Sequence, residues 1–165
     1  MPFRCAEQSY RGFTVIELMA ALAVTFIVGA AVYSALHTYS IRSEVVAGMA
    51  VAQETQNGVA AAFRQWGEIP GSAPPLRPAA SQYVEAITVV NGRVDILYGG
   101  QADRSIAGRQ LSLTPYETAA GEIVWLCGNK TPGLGVLPLG FMEGGLQASH
   151  TPTTIEERYL PPSCK

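Results

Sequence analysis

The sequence predicts an α+β protein: a long N-terminal helix with a membrane-spanning first half, packed through its second half on a C-terminal antiparallel β-sheet. Three observations carry this. Residues 18–41 contain no Asp, Glu, Lys or Arg, and His37 is their only readily titratable side chain. An apolar stripe then continues at helical spacing from Val45 to Trp66. Beyond Pro70 the pattern changes to short β-type runs separated by turn residues. At 165 residues the chain has room for one domain with one good core.

The N-terminal segment MPFRCAEQSYRG is polar and net positive, and no A-x-A-like site ends the apolar run after it. An ordinary secretory signal therefore does not fit. The uncharged stretch is long enough to cross a bilayer, which takes roughly 20 apolar residues as helix. Thr25, Gly29, Ser34 and Thr38 are tolerable in such a helix. Positive-inside logic keeps residues 1–12 in the cytoplasm and translocates the C-terminal region. The alternatives are a buried core helix, which the remaining chain is too small to surround, and a simple signal anchor. The signal anchor leaves Glu17 unexplained. This carboxylate sits one residue before the uncharged run, with Ala20 and Ala21 rather than a base three and four positions on. An ionised group at that edge needs a partner or water.

In the second half of the helix, Val45, Met49, Ala52, Gln56, Val59, Phe63 and Trp66 recur at alternating steps of four and three. Gln56 interrupts the stripe, and Gly48 and Gly58 weaken it. A helix over residues 14–66 would span about 80 Å, stopped by Gly67 and Pro70. A coiled-coil dimer is the competing explanation of the same stripe.

Residues 70–81, rich in Pro, Ala, Gly and Ser, read as a surface connection. Strands are expected at 83–90 and 93–98, divided by Asn91-Gly92, a hairpin signal because both turn positions must accept positive φ. Val94, Ile96 and Tyr98 form one face of the second strand, with Arg93 and Asp95 on the other. A third strand is expected at 110–114, ended by Pro115, and a fourth at 122–127 with Ile123, Trp125 and Cys127 on one face. An antiparallel sheet packed on the helix's second half gives a simple core. Residues 128–165 are glycine- and proline-rich and read as largely irregular. Cys127 and Cys164 lie on the same, translocated side of the apolar segment, whereas Cys5 precedes it. Pairing them would tie the tail down and close a loop of about 38 residues, worth at most about 4 kcal/mol by loop entropy. Two unconnected buried thiols are the alternative.

The segment Arg11-Gly12-Phe13-Thr14-Val15-Ile16-Glu17-Leu18 resembles the processing motif of type IV prepilins. Ile123-Val124-Trp125-Leu126-Cys127 is similar to the last sheet strand of the bacterial major-pilin head, and Leu160-Pro161-Pro162-Ser163-Cys164 to that family's closing segment. The resemblance implies a pilin-like lollipop divided into a cytoplasmic leader at 1–12, a long helix at 13–66 and a β-rich head at 67–165 with a disulfide-bounded C-terminal region. It implies cleavage after Gly12 by a prepilin peptidase that also methylates the new amine of Phe13. Glu17 would be kept as an assembly residue, paired with the amine of a neighbouring subunit. The implied product is a homopolymeric type IV pilus, of type IVa pattern, built from the inner membrane by an assembly platform, with minor pilins as further partners. Adhesion, twitching motility and DNA uptake are its system-level roles. A type II secretion pseudopilin and a monomeric signal-anchored binding protein are the rival readings. Many related pilins carry a proline within the membrane half of the helix; here none occurs between Phe13 and Ile69.

Little in the sequence suggests other chemistry. The net charge is −2, with no basic block and no arginine-rich helical face, so no direct nucleic-acid site is evident. His37 and His150 lack metal-ligand or nucleophile neighbours in sequence, and no cofactor or enzyme motif is present. Asn129-Lys130-Thr131 matches a glycan acceptor sequence, for which a bare turn is the better reading.

Overall fold

The computed structural model describes residues 12–165 except Arg77, Ala79, Ala80 and Glu143, and describes Ala73 and Pro74 of the first strand by their backbone alone. The leader expected at 1–12 therefore lies, apart from Gly12, outside the described residues, together with Cys5 and Arg11. One helix, α1, runs from Val15 to Trp66. The chain forms two compact units, one ending at His37 and the other comprising residues 38–165. Residues 15–37 of α1 thus belong to the first unit and 38–66 to the second.

Residues 15–37 of the first unit are helix, and their large apolar side chains are exposed, Phe26 to 78% and Ile27 to 73%. Their polar side chains turn back on the helix. Thr25 Oγ1 donates to Ala21 O at 2.8 Å and Ser34 Oγ to Ala31 O at 3.0 Å. Those bonds satisfy hydroxyls that a hydrocarbon environment would leave stranded.

In the second unit a six-stranded antiparallel sheet packs on the remainder of α1. Its strands are β1 (Ala73–Leu76), β2 (Val84–Val90), β3 (Arg93–Tyr98), β4 (Gln110–Thr118), β5 (Ile123–Cys127) and β6 (Val136–Pro138). The order is β1-β2-β3-β4-β5, with β6 also pairing to β4. Cross-strand pairs Ile87↔Ile96 and Val89↔Val94, then Ile96↔Leu111 and Val94↔Leu113, build one apolar face. That face shares a core with Ile41, Val45, Ala52 and Val59 of α1. The hairpin turn has Asn91 at φ 49° and Gly92 at φ 73°, as the sequence requires of it. Gly92 N donates to Pro70 O at 2.9 Å, which binds the hairpin tip to the chain leaving α1.

Several expectations need correction. The connection at 70–81 contains β1, an edge strand in which Pro75 is tolerated because an edge can forgo one ladder of hydrogen bonds. The strand expected to stop at Pro115 continues to Thr118. Ser112 O and Thr118 N bond toward β5, to Gly128 N and Glu122 O. By the two-residue alternation, Pro115 turns its backbone away from β5, and its carbonyl accepts from Leu139 N at 3.2 Å. The missing N–H therefore costs the β4–β5 ladder nothing. The tail, expected to be largely irregular, also supplies β6 and two short 3₁₀ turns.

Within the helical stripe Trp66 is 67% exposed rather than packed. Gly48, read as a weak point, is buried for a reason: a Cβ there would lie 2.5 Å from Cε1 of Tyr98. Tyr98 is itself fully buried and donates to the carbonyl of Val45 at 2.7 Å. Burial without a compensating charge pushes its phenol well above the ordinary tyrosine range. The face of β3 expected to be polar is also covered. Asp95 is 5% exposed and receives both Arg93 Nε and Nη2, at 2.9 and 2.8 Å. Arg93 Nη1 then reaches Ser149 O at 3.1 Å, tying the tail to the sheet.

Candidate assembly site

The N-terminal residues singled out by sequence converge on the start of α1. Thr14 is its N-cap: Thr14 O accepts the first helical bond, from Leu18 N at 3.2 Å. Glu17, three residues on, turns back, and its Oε2 accepts from Thr14 N at 2.9 Å and Thr14 Oγ1 at 2.7 Å. Glu17 N in turn donates to Thr14 Oγ1 at 3.3 Å. This is a capping box, T-x-x-E, with donors otherwise orphaned at the helix start satisfied reciprocally. It also places negative charge at the positive end of the helix dipole. The T-x-x-E spacing was legible in the sequence, but a search for basic partners alone misses it.

The cap does not exhaust the carboxylate. Both bonds from Thr14 fall on Oε2, and among the described residues no hydrogen bond reaches Oε1. Gly12 and Phe13 precede the helix in exposed chain, Phe13 at 85% exposure. The Gly12–Phe13 bond thus lies in exposed chain just ahead of the helix. The apolar stretch after it is long enough to cross a membrane, and none of its most apolar window is buried. A contiguous exposed apolar surface of this kind marks a membrane or protein interaction site.

At the far end of the chain Cys127, the last residue of β5, is joined to Cys164 with a Cα–Cα distance of 4.8 Å. Both are buried, and Gly128 beside them adopts φ 66° with Cys164 O 2.6 Å from where a Cβ would stand. Only glycine fits that approach. Ile155, Tyr159 and Leu160 enter the main core beside the disulfide, and Arg42 Nε of α1 donates to Arg158 O at 2.7 Å. Asn129 lies in an exposed turn directly after β5. Among the described residues no group of His, Cys, Asp and Glu is arranged to hold a metal ion.

Comparison with known proteins agrees with this geometry. The pilin family, described as bacterial filament proteins, matches residues 41–165, and the prokaryotic N-terminal methylation motif matches residues 8–33. A type IV major pilin protein PilE1 of Neisseria gonorrhoeae is 28% identical over 94% of this chain and 73% of its own length. A fimbrial protein of Neisseria meningitidis serogroup B (strain ATCC BAA-335 / MC58) is 30% identical over 72% of each chain.

Proposed function

The chain belongs to the pilin family of bacterial filament proteins, and from that premise we propose how its two ends divide the work of building a fibre. It is a structural subunit of a type IV pilus, not an enzyme; α1 anchors it in the inner membrane before it is assembled into the surface filament. It polymerises and is processed by a peptidase and methylase, as its methylation motif indicates. The finer assignment is ours. Cleavage falls between Gly12 and Phe13, the leader 1–12 is discarded, and the amine of Phe13 is methylated. Residues 13–66 then form the core-building helix and 67–165 the head.

In this reading Glu17 serves two bonds at once. Oε2 stays with Thr14 and fixes the rotamer, while Oε1 accepts the cationic amine of a neighbouring copy's Phe13. Buried ion pairs gain little net stability because desolvation opposes attraction, yet a lone buried charge is costly. The pair therefore sets axial register among otherwise featureless apolar helices. The single observation that carries the proposal is the capping box at the head of an uncovered apolar helix. Delivery to an inner-membrane assembly platform and capping by minor pilins complete the proposed partner set. The disulfide-bounded tail and the family match over the head support a pilus subunit over a secretion pseudopilin.

Glu17→Gln tests it. Gln keeps an acceptor for Thr14 but loses the charge, so head folding and membrane insertion should be unchanged while sheared surface filaments disappear. Filaments at normal rate and abundance from this variant would refute the register role.

A further inference from the structure

A cleft of about 290 Å³ opens between α1 and the closing segment of the head, lined by Val46, Met49, Ala50 and Gln53 on one side and Pro161 and Ser163 on the other. Two of these side chains also touch the disulfide. Met49 Sδ lies 3.8 Å and Ser163 Oγ 3.9 Å from Cys164 Sγ. Cys164 is fully buried, so Met49 and Ser163 stand between its sulfur and the open cleft. Ser163 is short and exposed, whereas Met49 is half-buried and packs on the core that contains both cysteines. At the other sulfur, the carbonyl oxygen of Ser163 lies 3.7 Å from Cys127 Sγ.

We infer that Met49 is a gate over the Cys127–Cys164 disulfide: when its side chain swings aside, a small thiol enters this cleft and attacks Cys164 in the folded head. Thiol–disulfide exchange begins with a thiolate reaching one of the two sulfurs, so its rate depends on access as well as on chemistry. Methionine suits a gate because its unbranched chain re-packs more readily than a branched one. Here it borders a cleft that gives it room to move into. Attack falls on Cys164 because the negative end of the Ser163 carbonyl faces Cys127 and repels an approaching thiolate. With glutathione as the thiol, its sulfur bonds to Cys164 Sγ as the Sγ–Sγ bond breaks. The electron pair leaves on Cys127 as a thiolate, which takes a proton from water. The tail then keeps only its non-covalent ties, namely Ile155, Tyr159 and Leu160 in the core and the bond from Arg42 Nε to Arg158 O. The disulfide is thus a lock that responds to thiols without prior unfolding, and Met49 sets how fast it responds.

The test adds glutathione to the folded full-length chain in detergent micelles, in a Cys5→Ser background. Samples are quenched with N-ethylmaleimide, and each cysteine is mapped by mass. The early product should carry glutathione on Cys164 and N-ethylmaleimide on Cys127. An open state populated to about a tenth or less predicts that Met49→Ala accelerates exchange at least about tenfold. Met49→Leu fills a similar volume with a stiffer chain and should be no faster than the original. Gln53→Trp, on the exposed rim, should slow exchange by filling the cleft, and it tests the route even where Met49→Ala fails to fold. Val59→Ala removes buried atoms from the same helix outside this cleft. It should lower Tm and leave the rate unchanged, and dilute urea should leave the rate unchanged as well. Equal acceleration by Val59→Ala, or a rate that climbs with urea, would place reduction in the unfolded chain and overturn the gate. An unchanged rate in Met49→Ala or Gln53→Trp, a Met49→Leu chain as fast as Met49→Ala, or first attachment of glutathione at Cys127 would overturn it equally.

Discussion

Replacing Gly48 with Ala would place a methyl group 2.5 Å from Cε1 and 2.6 Å from the hydroxyl oxygen of Tyr98. Helix propensity alone favours Ala over Gly by about 1 kcal/mol. Against that, overpacking a filled core costs about 1–3 kcal/mol. Tyr98 has no free space to retreat into, being fully buried between sheet and helix. If its ring moves, the 2.7 Å bond to Val45 O breaks and strands a buried hydroxyl, at about another 1–3 kcal/mol. The net is a loss of about 3 kcal/mol, or about 10 °C in Tm for a head of this size. Gly58 supplies the control on the same helix, because a Cβ there meets no atom within 4 Å. Gly58→Ala should therefore stabilise by about 0.5–1 kcal/mol. Thermal unfolding of the full chain in detergent micelles, followed by near-UV circular dichroism, reads both. Equal Tm values for the two variants, or a Gly48→Ala chain no less stable than the original, would refute the packing argument.

Asp95→Ala should destabilise the head by about 3–5 kcal/mol, measured by urea denaturation, because Arg93 would be left charged in a mostly buried position. Tyr98 makes a pH prediction: its folded pKa is raised, so its contribution is intact below the ordinary tyrosine value near 10 and is lost as pH rises through the folded value. Titration at 295 nm should show one tyrosine ionising only as the head unfolds, and Tyr98→Phe should lose stability less steeply above pH about 10. Thr14→Val should lower the stability of the first helical turn by about 1 kcal/mol. Faster amide exchange in residues 15–17, with the head unaffected, would be the signature.

The helix was legible because two independent patterns, an uncharged run and a stripe at helical spacing, meet without a proline between them. The Asn91-Gly92 hairpin was legible because its turn has few chemical solutions. What escaped depends on neighbours that are remote in sequence. Gly48 reads as a defect until Tyr98, fifty residues later, is laid against it. Pro115 reads as a strand terminator until the ladder shows which way its backbone faces. Trp66 continues the stripe in sequence, yet it ends exposed at the last residue of α1. The pairing of Arg93 with Asp95 and Ser149 could not be foreseen, since the alternation of β3 assigns that face to solvent and Ser149 reaches it from the folded tail. Around Glu17 the lesson differs. The carboxylate was conspicuous, but its local partner is a threonine hydroxyl and backbone amide rather than a base, so its capping role was legible and its spare oxygen was not.

Intact-mass analysis of sheared surface filaments tests the central claim most directly. The account predicts a chain that begins at Phe13, carries one added methyl group on its amine, and retains the Cys127–Cys164 bond until reductant is added. Chains that still carry residues 1–12 and are found only as membrane monomers would contradict it.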